Sequence, residues 1–174
     1  MRNTIILFLI FSLLGCKGEP KESAQKSAQE NTPPEISLKA TIVFKTNTED
    51  EFKVMMNNIE IDEFQKKSIH FTESVLPNSK YETISVDFGA NNISRNININ
   101  FGRKNLKQIQ IQSITLSYGG NELLIEGSNL EEHFTINKYI SYDKETFTLT
   151  TQKVEGRYNP AIILKQKTIN GLVR

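Results

Sequence analysis

After Pro34, hydrophobic and polar residues alternate along most of the chain. Ile36, Leu38, Ala40, Ile42 and Phe44 occupy one side of a period-2 repeat, and Ser37, Lys39, Thr41 and Val43 occupy the other. Successive strand side chains point to opposite faces, so this pattern predicts a strand with one face buried. The alternation returns at Ile69/Phe71, Ile84/Val86/Phe88, Ile97/Ile99/Phe101, Ile109/Ile111, Ile114/Leu116/Tyr118 and Phe147/Leu149. Between Ile111 and Ile114 the parity changes, which predicts a bulge or a sheet-switching corner at Gln112-Ser113.

Turn residues punctuate these runs. Asn57-Asn58 divides Phe52–Met56 from Ile59–Phe64, Pro77-Asn78-Ser79 follows Val75, and Gly89-Ala90-Asn91-Asn92 follows Phe88. Gly119-Gly120-Asn121 predicts a hairpin between Tyr118 and Leu123. Asp143-Lys144-Glu145 divides Tyr139–Tyr142 from Thr146–Thr151. No window carries a capped 3.6-residue period over three turns, and Ile59–Lys67 offers at most one helical turn. Nine to eleven short strands at this spacing predict an all-β fold, an antiparallel β-sandwich of jelly-roll type spanning residues 36–174.

The N-terminal region follows a different logic. Ile5–Leu14 is an apolar-rich run of ten residues, half of the roughly 20 that a membrane-spanning helix requires. With Arg2 before it and Gly15 after it, the run has the form of a secretory signal. Leu13-Leu14-Gly15-Cys16 resembles the bacterial lipobox. That resemblance implies a signal peptide over residues 1–15, a diacylglyceryl thioether on Cys16, and an acylated (palmitate-bearing) new N-terminus. It further implies a lipoprotein of the bacterial cell envelope whose membrane partner is engaged through the lipid on Cys16. Lys17, with Glu19 and Glu22 close by, favours an outer-membrane location. The residues alone also allow a signal cut elsewhere, with Cys16 incidental.

Cys16 is the only cysteine, so no disulfide can support the domain. Lys17–Glu35 contains no Ile, Leu, Val, Phe, Tyr or Met, and with Cys16 it reads as a lipidated residue and flexible tether over 16–35.

Charge and motif content narrow the function classes. Lys and Arg number 21 against 20 Asp and Glu, interspersed throughout. Nucleic-acid binders normally carry a basic stripe, so nucleic acid is not an expected partner. Gly-x-Ser-x-Gly, His-Glu-x-x-His and Gly-x-x-x-x-Gly-Lys are all absent, and Gly102-Arg103-Lys104 reads as a basic turn. The histidines are His70 and His133 alone. No cofactor and no metal site are expected, although Glu49-Asp50-Glu51 with Asp62-Glu63 could hold a structural calcium ion through oxygen ligands. A glycosidase needs two carboxylates about 5–10 Å apart across a cleft. This chain has no long loops to build one, so a small hydrolase ranks last and no enzyme activity is expected.

Ile97-Asn98-Ile99-Asn100-Phe101-Gly102 followed by Ile109-Gln110-Ile111-Gln112-Ser113-Ile114-Thr115-Leu116 resembles the closing strands of carbohydrate-binding jelly-roll domains on bacterial surface proteins. The likeness spans Ile84–Tyr118. Asn98 stands where that pattern has arginine, Asn100 where it has aspartate, and Phe101 where it has proline, so the charged pair is missing. The resemblance implies the fold and saccharide as a ligand class.

Asn96, Asn98 and Asn100 share one strand face, and Gln108, Gln110 and Gln112 repeat the theme. Such faces are either solvated exteriors or concave amide surfaces suited to polyhydroxyl ligands, since each amide both donates and accepts. Arg157-Tyr158-Asn159-Pro160 sets a fork donor, an aromatic and an amide side by side, and Tyr158 either meets ligand or packs over the sandwich end. The candidate binding residues are therefore Asn98, Asn100, Arg157 and Tyr158. The expected function is a membrane-anchored lipoprotein presenting a non-catalytic β-sandwich that binds saccharide. The alternative is a structural or protein-partner-binding envelope lipoprotein.

Overall fold

The computed structural model describes residues 36–61 and 65–174. The lipobox, Cys16, residues 17–35 and the Asp62-Glu63 pair lie outside the described residues.

Each alternating run contributes a strand, although Phe101 and Phe147 fall just outside theirs, and every pairing is antiparallel. The first sheet contains β1 (Ser37–Thr46), β4 (Glu82–Ala90), β6 (Gln108–Tyr118), β7 (Asn121–Glu126), β9 (Ile140–Asp143) and β10 (Thr148–Thr151). Its order is β4-β1-β6-β10-β9, and β7 pairs with the far half of β6, beyond β10. The second sheet is built from β2 (Asp50–Glu60), β3 (Lys66–Val75), β5 (Asn96–Asn100), β8 (Phe134–Ile136) and β11 (Ala161–Leu164), in the order β3-β2-β5-β11-β8. Together they form an antiparallel β-sandwich, as the alternation predicts.

The core comes from the inward parity of both sheets. Leu38, Ile42 and Phe44 of β1, Ile109, Ile111 and Ile114 of β6, Phe52 and Met56 of β2, and Ile97 and Ile99 of β5 are sealed from solvent. The Phe44, Phe52 and Phe101 rings meet in series, tilted at 5.1 Å and edge-on at 5.2 Å between centroids. Burying each such side chain contributes about 1.5–3 kcal/mol. The parity change in β6 is a bulge: Val43 faces Ser113 and Phe44 faces Ile111, leaving Gln112 unpaired. That extra residue lets Ile111 and Ile114 both point into the core.

Three expectations need correction. Asn57-Asn58 is not a turn. β2 runs through it, and one extra residue between Met56 and Ile59 makes a bulge with Asn58 at φ 60°. The bulge returns Ile59 to the core, so the glycine-like habit of Asn is spent on a kink rather than a reversal. Ile59 and Glu60 end β2 and Lys66-Lys67 begin β3, so these four residues are strand rather than helix. Phe147 lies outside β10 at φ 55°, where its carbonyl accepts from Ile111 N–H at 3.2 Å.

The Gly119-Gly120 hairpin forms as expected. Both glycines have positive φ (58° and 86°), which a tight turn of matching twist requires. Short helices α1 (Leu130–His133) and α2 (Gln166–Leu172) complete the structure. α2 is only two turns long, below the length at which periodicity is readable, and it buries Thr168, Ile169 and Leu172.

Candidate functional site: an amide-lined hollow on the second sheet

Because Ile97 and Ile99 face inward, Asn96, Asn98 and Asn100 must face outward. The register sets Asn98 between Met55 of β2 and Ile163 of β11, and Asn100 between Lys53 and Ala161, with Thr72 beyond Lys53. The turn after β5 folds back over this face, and Asn159 approaches from the segment before β11. Together they enclose a hollow of about 370 Å³ whose polar lining includes Asn98, Asn100, Asn159, Lys53, Thr72 and Arg103.

Hydrogen bonds hold the rim in shape. Asn100 Nδ2 donates to Asn159 Oδ1 at 2.8 Å, and Arg103 Nε donates to the same oxygen at 2.8 Å. Gly102 N–H donates to Asn100 Oδ1 at 3.0 Å. Asn137 Nδ2 donates to the Asn159 carbonyl at 2.7 Å, fixing the backbone from the other side. Asn98 differs from its neighbours: its Oδ1 is shut off from water and accepts no hydrogen bond from the described residues. An unmet buried acceptor costs about 1–3 kcal/mol. Met55 and Ile163 flank it and supply apolar surface on either side.

The floor is anchored by charge. Lys107 Nζ donates to Asp50 Oδ2 at 2.5 Å, to the Phe101 carbonyl at 2.9 Å and to Tyr158 Oη at 3.4 Å, which uses all three ammonium protons. Asp50 Oδ1 accepts from Glu51 N–H at 2.7 Å, and Oδ2 also accepts from Lys104 and Asn105 N–H groups at 3.0 and 3.2 Å. Burial pushes the Asp50 carboxyl up. The Lys107 hydrogen bond, the Glu51 and Asn105 N–H groups and the Lys107 charge together outweigh burial and hold it below its ordinary value. Gly102 makes this possible: at φ 80°, a Cβ there would sit 2.1 Å from Asp50 Oδ1. Lys53, Arg103 and Lys104 share the lining with two acids, of which Asp50 is taken up by Lys107 and Glu51 makes only a loose, exposed pair with Lys104 at 3.4 Å. The hollow is therefore rich in donors.

Of the four residues expected from sequence, Asn98 and Asn100 share this hollow, while Arg157 and Tyr158 do not line it. The Tyr158 hydroxyl reaches Asn105 O at 2.6 Å and Thr151 Oγ1 at 2.7 Å, and its ring lies 5.6 Å from Lys107 Nζ. Arg157 is exposed on a two-residue hairpin closed by paired 3.0 Å bonds with Val154, with Glu155 and Gly156 at positive φ. Arg103, Asn159 and Lys53 were missed as site residues. Asn159 had been visible as the amide beside Tyr158, and Arg103 as part of a basic turn; nothing local says that the turn folds back over β5.

The other sequence candidates fall elsewhere. Asn96 opens into a larger hollow of about 700 Å³ with Asn58, Asn91, Arg95 and Asn170. Gln108 and Gln110 line a hollow of about 270 Å³ on the first sheet, beside Lys45. Lys45 Nζ lies 5.2 Å over the ring of Tyr81, the tyrosine that is exposed rather than half-buried. Gln112 occupies the bulge. His133 Nδ1 lies 3.3 Å from Thr168 Oγ1, and burial lowers its pKa despite the nearby Glu132 charge. Asp50 turns inward to Lys107, away from Glu49 and Glu51, so these three acids do not converge on a common point.

No model of a known protein family, no curated protein and no solved structure matches this chain.

Proposed function

We propose that this chain is a lipid-anchored bacterial envelope lipoprotein whose sandwich is a non-catalytic saccharide-binding module, with the amide hollow of the second sheet as its site. The observation that carries the reading is Asn98 Oδ1, a desolvated acceptor without a partner among the described residues, set among pre-arranged amides. Rotation of the Asn98 amide on binding would bring this oxygen to a sugar hydroxyl, recovering the free energy the unmet acceptor costs. Asn100 and Asn159 hold their amides in place for further hydroxyls, and Arg103 offers a fork to ring or carboxylate oxygens. Met55 and Ile163 give sugar C–H faces something to pack on. Asn96 lies four residues along β5 from Asn100, about 14 Å at strand rise. The ladder would therefore suit an extended oligosaccharide.

The non-catalytic part of the reading rests on Asp50. It is the buried carboxylate among the described residues, and it is held ionised by Lys107 rather than poised to give up a proton. The membrane anchor rests on Leu13-Leu14-Gly15-Cys16.

The test is a saccharide array probed with the full chain in detergent, comparing wild type with Asn159→Ala. Removing an amide that positions both Asn100 and Arg103 should weaken binding by about 1–3 kcal/mol, one to two decades. Undiminished binding by the variant would move the site away from this hollow.

A further inference from the structure

We propose that β3 is a self-complementary edge through which two copies of this chain pair, joining their second sheets across a two-fold axis at His70. β3 is ten residues long and, among the described residues, ends its sheet, pairing with β2 on one side only. All but Ile69 and Val75 are exposed, including Phe71, whose ring meets Phe88 edge-on at 5.7 Å. A strand of this length with a row of free N–H and C=O groups is a pairing surface unless something blunts it. Lys67 and Glu73 lie on the core-facing parity with Ile69 and Phe71, and neither has an ion-pair partner among the described residues.

The sequence of the edge selects its occupant. In an antiparallel pair made by a two-fold axis, facing residues must have the same hydrogen-bonding parity. The axis therefore passes through a residue pair. With the axis at His70, Lys67 faces Glu73 twice over, Ile69 faces Phe71, and Ser68 faces Thr72. An axis one step of the same kind later, at Phe71, would set Ile69 against Glu73. At Ile69 it would set Lys67 against Phe71. Only the His70 axis matches charge with opposite charge and apolar with apolar on both sides. The closed, isologous symmetry also uses up both edges, so pairing stops at two. The proposal concerns a different surface from the saccharide reading and does not depend on it.

The experiment uses the full chain in detergent or native membranes. His70→Cys should form an intermolecular disulfide under mild oxidation, because residues facing each other in antiparallel strands have Cα atoms about 4.5–5.5 Å apart. Ser74→Cys should not, since the two copies of residue 74 would lie roughly 27 Å apart. Wild type, with Cys16 alone, is the background control. By sedimentation equilibrium, Lys67→Glu and Glu73→Lys should each weaken the dimer at least about fivefold, and the double swap should restore it. A monomeric wild type at tens of micromolar, equal cross-linking at residues 70 and 74, or no rescue by the swap would overturn the proposal. In each of those outcomes Lys67 and Glu73 are instead charges that keep the edge single.

Discussion

Asp50 and Lys107 form an ion pair at 2.5 Å with both side chains shut away from solvent, 1% and 0% exposed respectively. The pair ties the first residue of β2 to the last residue before β6. Everything between Phe101 and Lys107 is draped over it, including Gly102 and Arg103 at the rim of the hollow. Asp50 lines the hollow and Lys107 does not, so the pair supports the site from behind its wall.

A double-mutant cycle should expose that coupling. Lys107→Met leaves a buried carboxylate unpaired and should cost about 3–5 kcal/mol in denaturant unfolding. Asp50→Asn/Lys107→Met removes both charges and keeps one acceptor oxygen, for either the Glu51 N–H or the Lys104 and Asn105 N–H groups; with no unpaired buried charge left, it should be more stable than Lys107→Met alone.

Acid should act through the same residue. Asp50 has a folded pKa below its unfolded value, so its contribution is present above about pH 4 and is lost as pH falls through the folded value. Asp87, held low by Gly89 N–H, and Asp143, held low by Thr146, act with the same sign from exposed positions. Asp50→Asn should flatten the acid limb of a stability-against-pH curve, measured by denaturant midpoint between pH 2 and 6.

Gly102→Ala should be far worse than Gly156→Ala. Both positions have positive φ, which costs a β-carbon residue about 1–2 kcal/mol. A Cβ at Gly156 meets nothing within 4 Å, whereas at Gly102 it lands 2.1 Å from Asp50 Oδ1. Thermal unfolding of the two variants side by side gives the comparison.

Cys16→Ser should leave the chain unprocessed or shift it to the soluble fraction of cells, and globomycin should give the same precursor with wild type. Unchanged membrane partitioning by Cys16→Ser would remove the anchor from the account.

The sandwich was legible because burial on one face imposes period 2, and the bulge at Gln112-Ser113 was legible because it breaks that period. Asn57-Asn58 misled, since the same left-handed tendency serves a turn or a bulge and only the β3 partner decides which. α2 was too short to show a period. At the site, Asn98 and Asn100 could be placed outward by parity alone. Lys107 could not be recognised: an isolated lysine ahead of a strand reads as surface, and its partner is 57 residues away. Tyr158 looked like an aromatic on a loop. Its hydroxyl is instead tied to Thr151 and Asn105, a long-range fact that spacing does not encode.

The most direct test of the binding face is Asn98→Leu, measured for both stability and affinity in the full chain. An unmet acceptor kept for a ligand predicts opposite movements, because leucine removes the desolvation cost and also removes the sugar's partner. On a saccharide array followed by titration of whatever wild type binds, affinity should fall at least about tenfold, or roughly 1.4 kcal/mol. The unfolding midpoint should stay level or rise. Unchanged affinity in Asn98→Leu, or a wild type that binds no saccharide on the array, would contradict the account.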